Sequence, residues 1–254
     1  MGLSIFLSLP VILAKGMRSR TITFLNAAAI GILVFLMADI FGDVAPLVAS
    51  SQVYLTIPSR DVLFVVATAA AFTSLYLIDQ RRPEAERAPS ADGAAPPPGR
   101  EFSPTRLALI IAFGIGLQNL TEGLVFGAAW TAGQVGLLTV IFLGFFLQNV
   151  TEGFPIVSPF LGQSRYDLRL VSALFLIGGL PTIVGGAIGY FYTNVSLDVL
   201  FDSLAIGAIL YVVPLMLKVA FRPEPTPLAS YRKQQLVFFG LLTGFVLGFA
   251  VNAL

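Results

Sequence analysis

A chain of 254 residues, 56% hydrophobic and only 11% charged, with a mean hydropathy of +0.87, lies outside the range of soluble domains. Its net charge of +1 gives no sign of an acidic partner, and no basic face interleaved with aromatics supports nucleic-acid binding. The absence of cysteine excludes disulfides and thiolate metal sites, and the absence of histidine removes another common metal ligand and general base.

Eight apolar segments, most of a length suited to crossing ~30 Å of hydrocarbon, are read at 2–17, 22–43, 62–79, 105–128, 134–160, 168–192, 199–217 and 234–253. The first is short, ending near Lys15; without a basic n-region or a small-residue cleavage site, it reads as a span rather than a signal peptide. The connections after spans 1, 3, 5 and 7 hold fourteen of the fifteen Lys and Arg residues, and Arg60 is the exception. A missed or false helix would scramble that alternation. The positive-inside rule then puts both termini outside the cytoplasm, and the expected location is a prokaryotic inner or plasma membrane.

One membrane domain is expected, with spans 1–3 over 1–80, a linker over 81–104 and spans 4–8 over 105–254. The linker runs from Arg81-Arg82-Pro83 through an Ala/Pro/Gly stretch to Pro96-Pro97-Pro98-Gly99-Arg100. Such a composition buries too little apolar surface to order itself, so a flexible cytoplasmic segment is expected.

Spans 4 and 5 carry the same phrase twice. Gln118-Asn119-Leu120-Thr121-Glu122-Gly123 is echoed by Gln148-Asn149-Val150-Thr151-Glu152-Gly153. A charge at the centre of a membrane helix costs at least ~2.5–3.5 kcal/mol and is rarely kept without a partner or a water-filled cavity. The short uncharged connection near Thr131 and Gly133 makes the two helices antiparallel neighbours, an arrangement compatible with a pseudo-two-fold axis in the membrane plane. Two carboxylates in matching frames then point to a cation held between the helices.

Positions i and i+4 share a helix face, so Gln118 stacks over Glu122 and Gln148 over Glu152, while Asn119 and Asn149 lie about 100° around. Thr121 and Thr151 are accessory ligand candidates, although a hydroxyl in an apolar helix more often bonds the carbonyl four residues back. Gly123 and Gly153, with Gly114 and Gly116, would let backbones approach closely. Pro155 frees the carbonyl of Thr151 and kinks span 5. Asp39, within span 2, is either a gate or entrance ligand or an interfacial residue reaching outer water. In span 6, Gly178-Gly179-Leu180-Pro181-Thr182 reads as a broken helix with Thr182 as an accessory hydroxyl. Asp198 and Asp202 read as solvated residues at the rim of span 7. The pooled donors are all oxygen and suit Mg²⁺, Ca²⁺, Mn²⁺ or Fe²⁺, with Zn²⁺ held weakly.

At these residues the chain resembles the ZIP (Zrt-/Irt-like) family of metal transporters, whose fourth and fifth helices each carry a pattern close to His-Asn-x-Pro-Glu-Gly. Leu9-Pro10 in span 1, Gly178-Gly179-Leu180-Pro181 in span 6 and Gly207-Ala208-Ile209-Leu210-Tyr211 in span 7 extend the likeness. The resemblance implies an all-α integral membrane fold of eight transmembrane helices, with helices 4 and 5 central between two inverted-repeat three-helix groups. Gln118, Asn119, Glu122, Gln148, Asn149 and Glu152 would be the metal ligands, with Glu122 and Glu152 bridging if two ions bind. The implied activity is movement of divalent cations toward the cytoplasm, with the ion (Zn, Mn, Fe, Co, Cd or Mg) as cargo and no cofactor. Partners are the metal ions and the lipid bilayer, with a homodimer allowed.

This sequence departs from the family pattern in one direction. Both signature histidines are glutamine, both prolines are threonine, the span 6 glutamate is Thr182 and the acidic position of span 7 is Met216. Each change removes a nitrogen ligand, a charge or a proline, which moves the expected ion toward the harder cations. The competing expectation is a non-transporting relative that senses or serves a structural role. Proton-coupled transport of an organic solute is a further one. An enzyme is not expected, because His and Cys are missing and Asp39 has no second aspartate at depth.

Overall fold

The computed structural model describes residues 2–10, 18–49, 59–80, 103–131, 133, 135–161, 167–192 and 194–253. The expected linker lies outside these residues, except for its last two positions. The chain is all-helical, with no strand among the described residues. A 3-10 segment, Gly2–Ser8, is followed by α1 (Ser19–Ala49), α2 (Arg60–Gln80), α3 (Pro104–Thr131) and α4 (Val135–Val157). Then come α5 (Leu168–Gly179), α6 (Pro181–Phe191), α7 (Val195–Ala220) and α8 (Pro227–Asn252).

Among the described residues six helices are long and apolar enough to cross a membrane: α1, α2, α3, α5 with α6 taken together, α7 and α8. The expected first span is described only over 2–10, where it begins as a 3-10 helix too short to be counted among them. The expected fifth span contains α4, which passes into a 3-10 turn at Ser158–Phe160. Large side chains such as Val65 and Val66 on α2 and Phe238, Phe239 and Leu242 on α8 are exposed. On helices of this composition they form the lipid-facing surface.

Local chemistry sets the boundaries. Asp167 caps α5 by accepting from the Arg169 amide at 2.8 Å, and Asn194 caps α7 by accepting from Ser196 at 2.8 Å. Pro227 follows the cap residue Thr226 as α8 begins, a position where its missing N–H costs nothing. Between α3 and α4, Gly133 takes a φ of 68° and its amide returns to the Trp130 carbonyl at 3.1 Å. Only glycine adopts that conformation freely, and it reverses the chain tightly enough to make α3 and α4 neighbours. The expected break in span 6 occurs at Pro181, which cannot donate to the Ile177 carbonyl.

The helices associate in preferred pairs. α1 packs along α8, α2 along α7, α3 along α6, and the 3-10 segment along α4. α3 also meets α4, α5 and α7, while α4 meets α1, α5 and α8, so these two touch most of the bundle. A core of Ile30, Leu33, Leu36, Ile111, Ile115, Ile156 and Phe175 fills the space among them. Gly123 and Gly153, directly after the two glutamates, sit against neighbouring backbones. A Cβ at Gly123 would collide with the Thr182 carbonyl, and one at Gly153 with Ser8 and the Ile5 carbonyl. The expectation that these glycines permit close approach holds at both positions.

Candidate cation site between α3 and α4

The two copies of the phrase meet across the α3–α4 contact. Gln118 donates through Nε2 to Oε1 of Glu122, and Gln148 donates through Nε2 to Oε1 of Glu152 at 3.1 Å. Both pairs are the i, i+4 stacks expected from the helical period. Asn119 donates through Nδ2 to Oδ1 of Asn149 at 3.1 Å and to the Gly178 carbonyl at 2.9 Å. It therefore ties α3 to α4 and to the end of α5 just before the Pro181 break. Asn149 donates to the Phe145 carbonyl at 2.8 Å and reaches Oε2 of Glu122 at 3.4 Å. All six side chains are buried, Glu122 at 5% exposure and Glu152 at 1%. The two carboxylates lie within electrostatic reach of each other.

This arrangement uses up amide donors and leaves acceptors over. Oε1 of Gln118, Oδ1 of Asn119 and Oε2 of Glu152 are buried without a hydrogen-bond partner. Buried polar atoms are almost always paired, so a cluster of unpaired oxygens next to a second carboxylate needs explaining. A cation bound in this layer would offer such oxygens a positive partner. Among the described residues no three Asp or Glu side chains converge into a ready-made metal cluster. Coordination here would therefore combine the two glutamates with neutral amide oxygens.

A cavity of about 450 Å³ reaches this layer between the C-terminal half of α1 and the N-terminal part of α7. Gln118, Thr121, Glu122 and Gln148 line it, and hydrogen bonds from Gln148 to Glu152 and from Asn149 to Glu122 connect it to the rest of the motif. Five carboxylate side chains line it: Asp39, Asp43, Asp198, Asp202 and Glu122. Asp39 is half-buried and lines this cavity. Asp202 corrects the expectation of a solvated rim residue. It is 4% exposed, eight positions into α7, where the Thr121 hydroxyl stands beside its carboxylate. Asp198 is half-buried one turn earlier. Their i, i+4 spacing, matched by Asp39 and Asp43 on α1, is the sequence signal that could have revealed a shared face.

The accessory hydroxyls divide. Thr121 lines the cavity and stands 3.5 Å from the Leu117 carbonyl, four residues back. Thr151 bonds the Gln148 carbonyl at 2.7 Å, three residues back rather than four. Thr182 is not part of the acidic cavity; it lines a separate apolar one with Trp130 and Tyr190, close against Gly2.

At the opposite end of the bundle lies a second cavity, about 290 Å³, lined by Thr23, Asn26, Ser158, Met216 and Lys233 among others. Lys233 is the charged residue in its lining, and Oδ1 of Asn26 is buried there without a partner. Buried aliphatic side chains of the core, Ile111 and Ile115 among them, lie on α3 between the two levels. No family model matches the chain, and no curated protein matches it either.

Proposed function

We propose that this chain is a divalent-cation transporter of ZIP-like fold, with eight spans, that moves ions toward the cytoplasm through an oxygen-ligand site between α3 and α4. The observation that carries the reading is the set of three buried, unpartnered oxygens on Gln118, Asn119 and Glu152 beside the Glu122 carboxylate. Glu122 and Glu152 hold the ion, Gln118, Asn119, Gln148 and Asn149 complete its oxygen shell, and the cavity aspartates draw cations toward it. With no imidazole or thiolate available, the site suits Mn²⁺, Fe²⁺ or Mg²⁺ better than tightly bound Zn²⁺.

The pairing of helices supports the inverted-repeat part of this reading. Exchanging α3 with α4 maps the α3–α6 contact onto that of the 3-10 segment with α4, and the α1–α8 contact onto α2–α7. Direction is supported by charge. The outer cavity concentrates carboxylates, whereas the inner cavity presents Lys233 and neutral oxygens, so capture is favoured outside and release inside.

The test is uptake into proteoliposomes of purified protein, with Mg²⁺, Mn²⁺, Fe²⁺, Co²⁺, Zn²⁺ and Cd²⁺ run in parallel. Uptake should be selective, and Glu122→Ala with Glu152→Ala should abolish it while leaving the protein inserted. Transport surviving in that double variant would sink the proposal. One observation favours the alternative, a non-transporting relative with a sensing or structural role: Gln118, Gln148 and Asn149 already give the carboxylates hydrogen bonds without an ion. Ion binding without uptake of any metal would select it.

A further inference from the structure

At the end of the bundle where Lys and Arg concentrate, the first turns of α1 and α8 enclose a cavity of about 300 Å³. Arg20, Arg232 and Lys233 line it, opposed by one carboxylate, Glu224. That carboxylate is already engaged, since Lys233 Nζ stands 3.0 Å from Glu224 Oε1. Lys233 also donates to the Arg222 carbonyl at 3.0 Å, which fixes its ammonium in the cavity wall. Among the described residues, neither Arg20 nor Arg232 has a carboxylate partner. Three cations therefore converge on one concavity with the charge of two left uncompensated. The positive-inside rule explains why basic residues lie at this end but does not require them to share a pocket.

The remaining lining says what would neutralise them. Thr226 accepts from the Ala229 amide as the cap of α8, and its own O–H stays available to a ligand oxygen. One rim of the cavity is apolar, formed by Leu228 and Leu236. Leu228 is exposed, and the exposed Tyr231, Phe238 and Phe239 continue along α8 into the lipid-facing surface. Guanidinium groups suit phosphate oxygens through paired N–H donors, and basic pockets at helix ends on this face of a membrane suit anionic head groups. A free phosphate would make no use of the apolar rim, whereas a phospholipid would lay its acyl chains along it.

We propose that Arg20, Arg232 and Lys233 form a binding site for a phosphate oxyanion, carried by an anionic phospholipid of the surrounding leaflet. The site does not depend on the cation reading, but it adjoins it. Thr23 and Lys233 line both this pocket and the inner cavity, so a bound head group neutralises the ammonium at the mouth of that cavity.

The experiment presents full-length protein in neutral detergent with equal amounts of phosphatidylglycerol and phosphatidylcholine, and reads lipid retention by native mass spectrometry. Phosphatidylglycerol should be retained in roughly tenfold excess or more. Arg20→Gln with Arg232→Gln should bring the ratio near parity. Arg18→Gln with Arg169→Gln, an equal charge change at the same end but outside the pocket, should preserve it. A second arm adds inorganic phosphate. Millimolar phosphate that leaves the lipid bound supports the phospholipid as source, and displacement at micromolar phosphate would overturn it in favour of a soluble phosphate. No preference between the lipids, or equal loss in both double variants, would overturn the site itself.

Discussion

Replacing Glu152 by glutamine should move stability in opposite directions depending on whether a divalent ion is present. Glu152 is 1% exposed, its Oε1 accepts from Gln148 at 3.1 Å and its Oε2 has no partner. A charge at the centre of a membrane helix costs about 2.5–3.5 kcal/mol, and glutamine removes it at almost constant volume. The new amide brings a donor whose burial without a partner costs about 1–3 kcal/mol, so the ion-free variant should range from unchanged to about 2 kcal/mol more stable. An ion bound only by the folded state at one hundred times its Kd stabilises by about 2.7 kcal/mol. At about 2–4 °C per kcal/mol for a chain of this size, the unsubstituted protein should gain about 5–11 °C in Tm with Mn²⁺, and E152Q close to none. The assay is thermal unfolding of purified protein in nanodiscs, with Mn²⁺ added and then chelated. If E152Q keeps the full Mn²⁺-dependent shift, Glu152 does not hold the ion. If E152Q is strongly destabilised without metal, the carboxylate is a structural hydrogen-bond acceptor and the reasoning fails from the other side.

Two further outcomes follow from the same geometry. Gly123→Val should lower Tm or prevent insertion, because even its Cβ would meet the Thr182 carbonyl, whereas Gly144→Ala, with nothing within 4 Å, should change stability by less than about 1 kcal/mol; equal effects would refute the close approach of α3 and α6. Asp202→Asn should slow ion uptake several-fold at low ion concentration, with rates converging at saturation and the difference shrinking as salt rises. A variant as fast as the unsubstituted protein under all these conditions would show that the cavity aspartates do not guide cations.

The parts of the site written in local pattern were legible before any coordinates. Glu122 and Glu152 stand out because charge is rare in apolar helices, and their pairing with Gln118 and Gln148 follows from the helical period alone. The Pro181 break and the reversal between α3 and α4 were legible for the same reason, since proline and a short connection act locally. What stayed hidden depends on which helix faces which. Asp202 looked like an end residue because its depth depends on where α7 begins, and Asn194 caps that helix eight residues earlier. Thr182 follows the Pro181 break yet faces another cavity, because α6 turns that side toward Gly2 and Trp130. Asn119 read as either a ligand or a tie to a neighbouring helix, and the particular partner, the Gly178 carbonyl, becomes visible only once α5 is in place.

The glycines tie the helices into three mechanical bodies. Gly31 and Gly244 join α1 to α8 backbone to backbone, and Gly207 joins α7 to α2. On the other side Gly123, Gly127, Gly185 and Gly189 join α3 to α6, Gly116 joins α3 to α5, Gly153 joins α4 to the 3-10 segment, and Gly2 with Gly179 closes that group. Across the boundary the approach is softer, as where Gly114 faces the Ala208 side chain. The aspartates of the acidic cavity are divided between the first two bodies, α1–α8 and α2–α7, and both motif glutamates belong to the third. A displacement that keeps the seams intact must slide whole bodies along one another, and it would carry the aspartates past the two glutamates as rigid pairs.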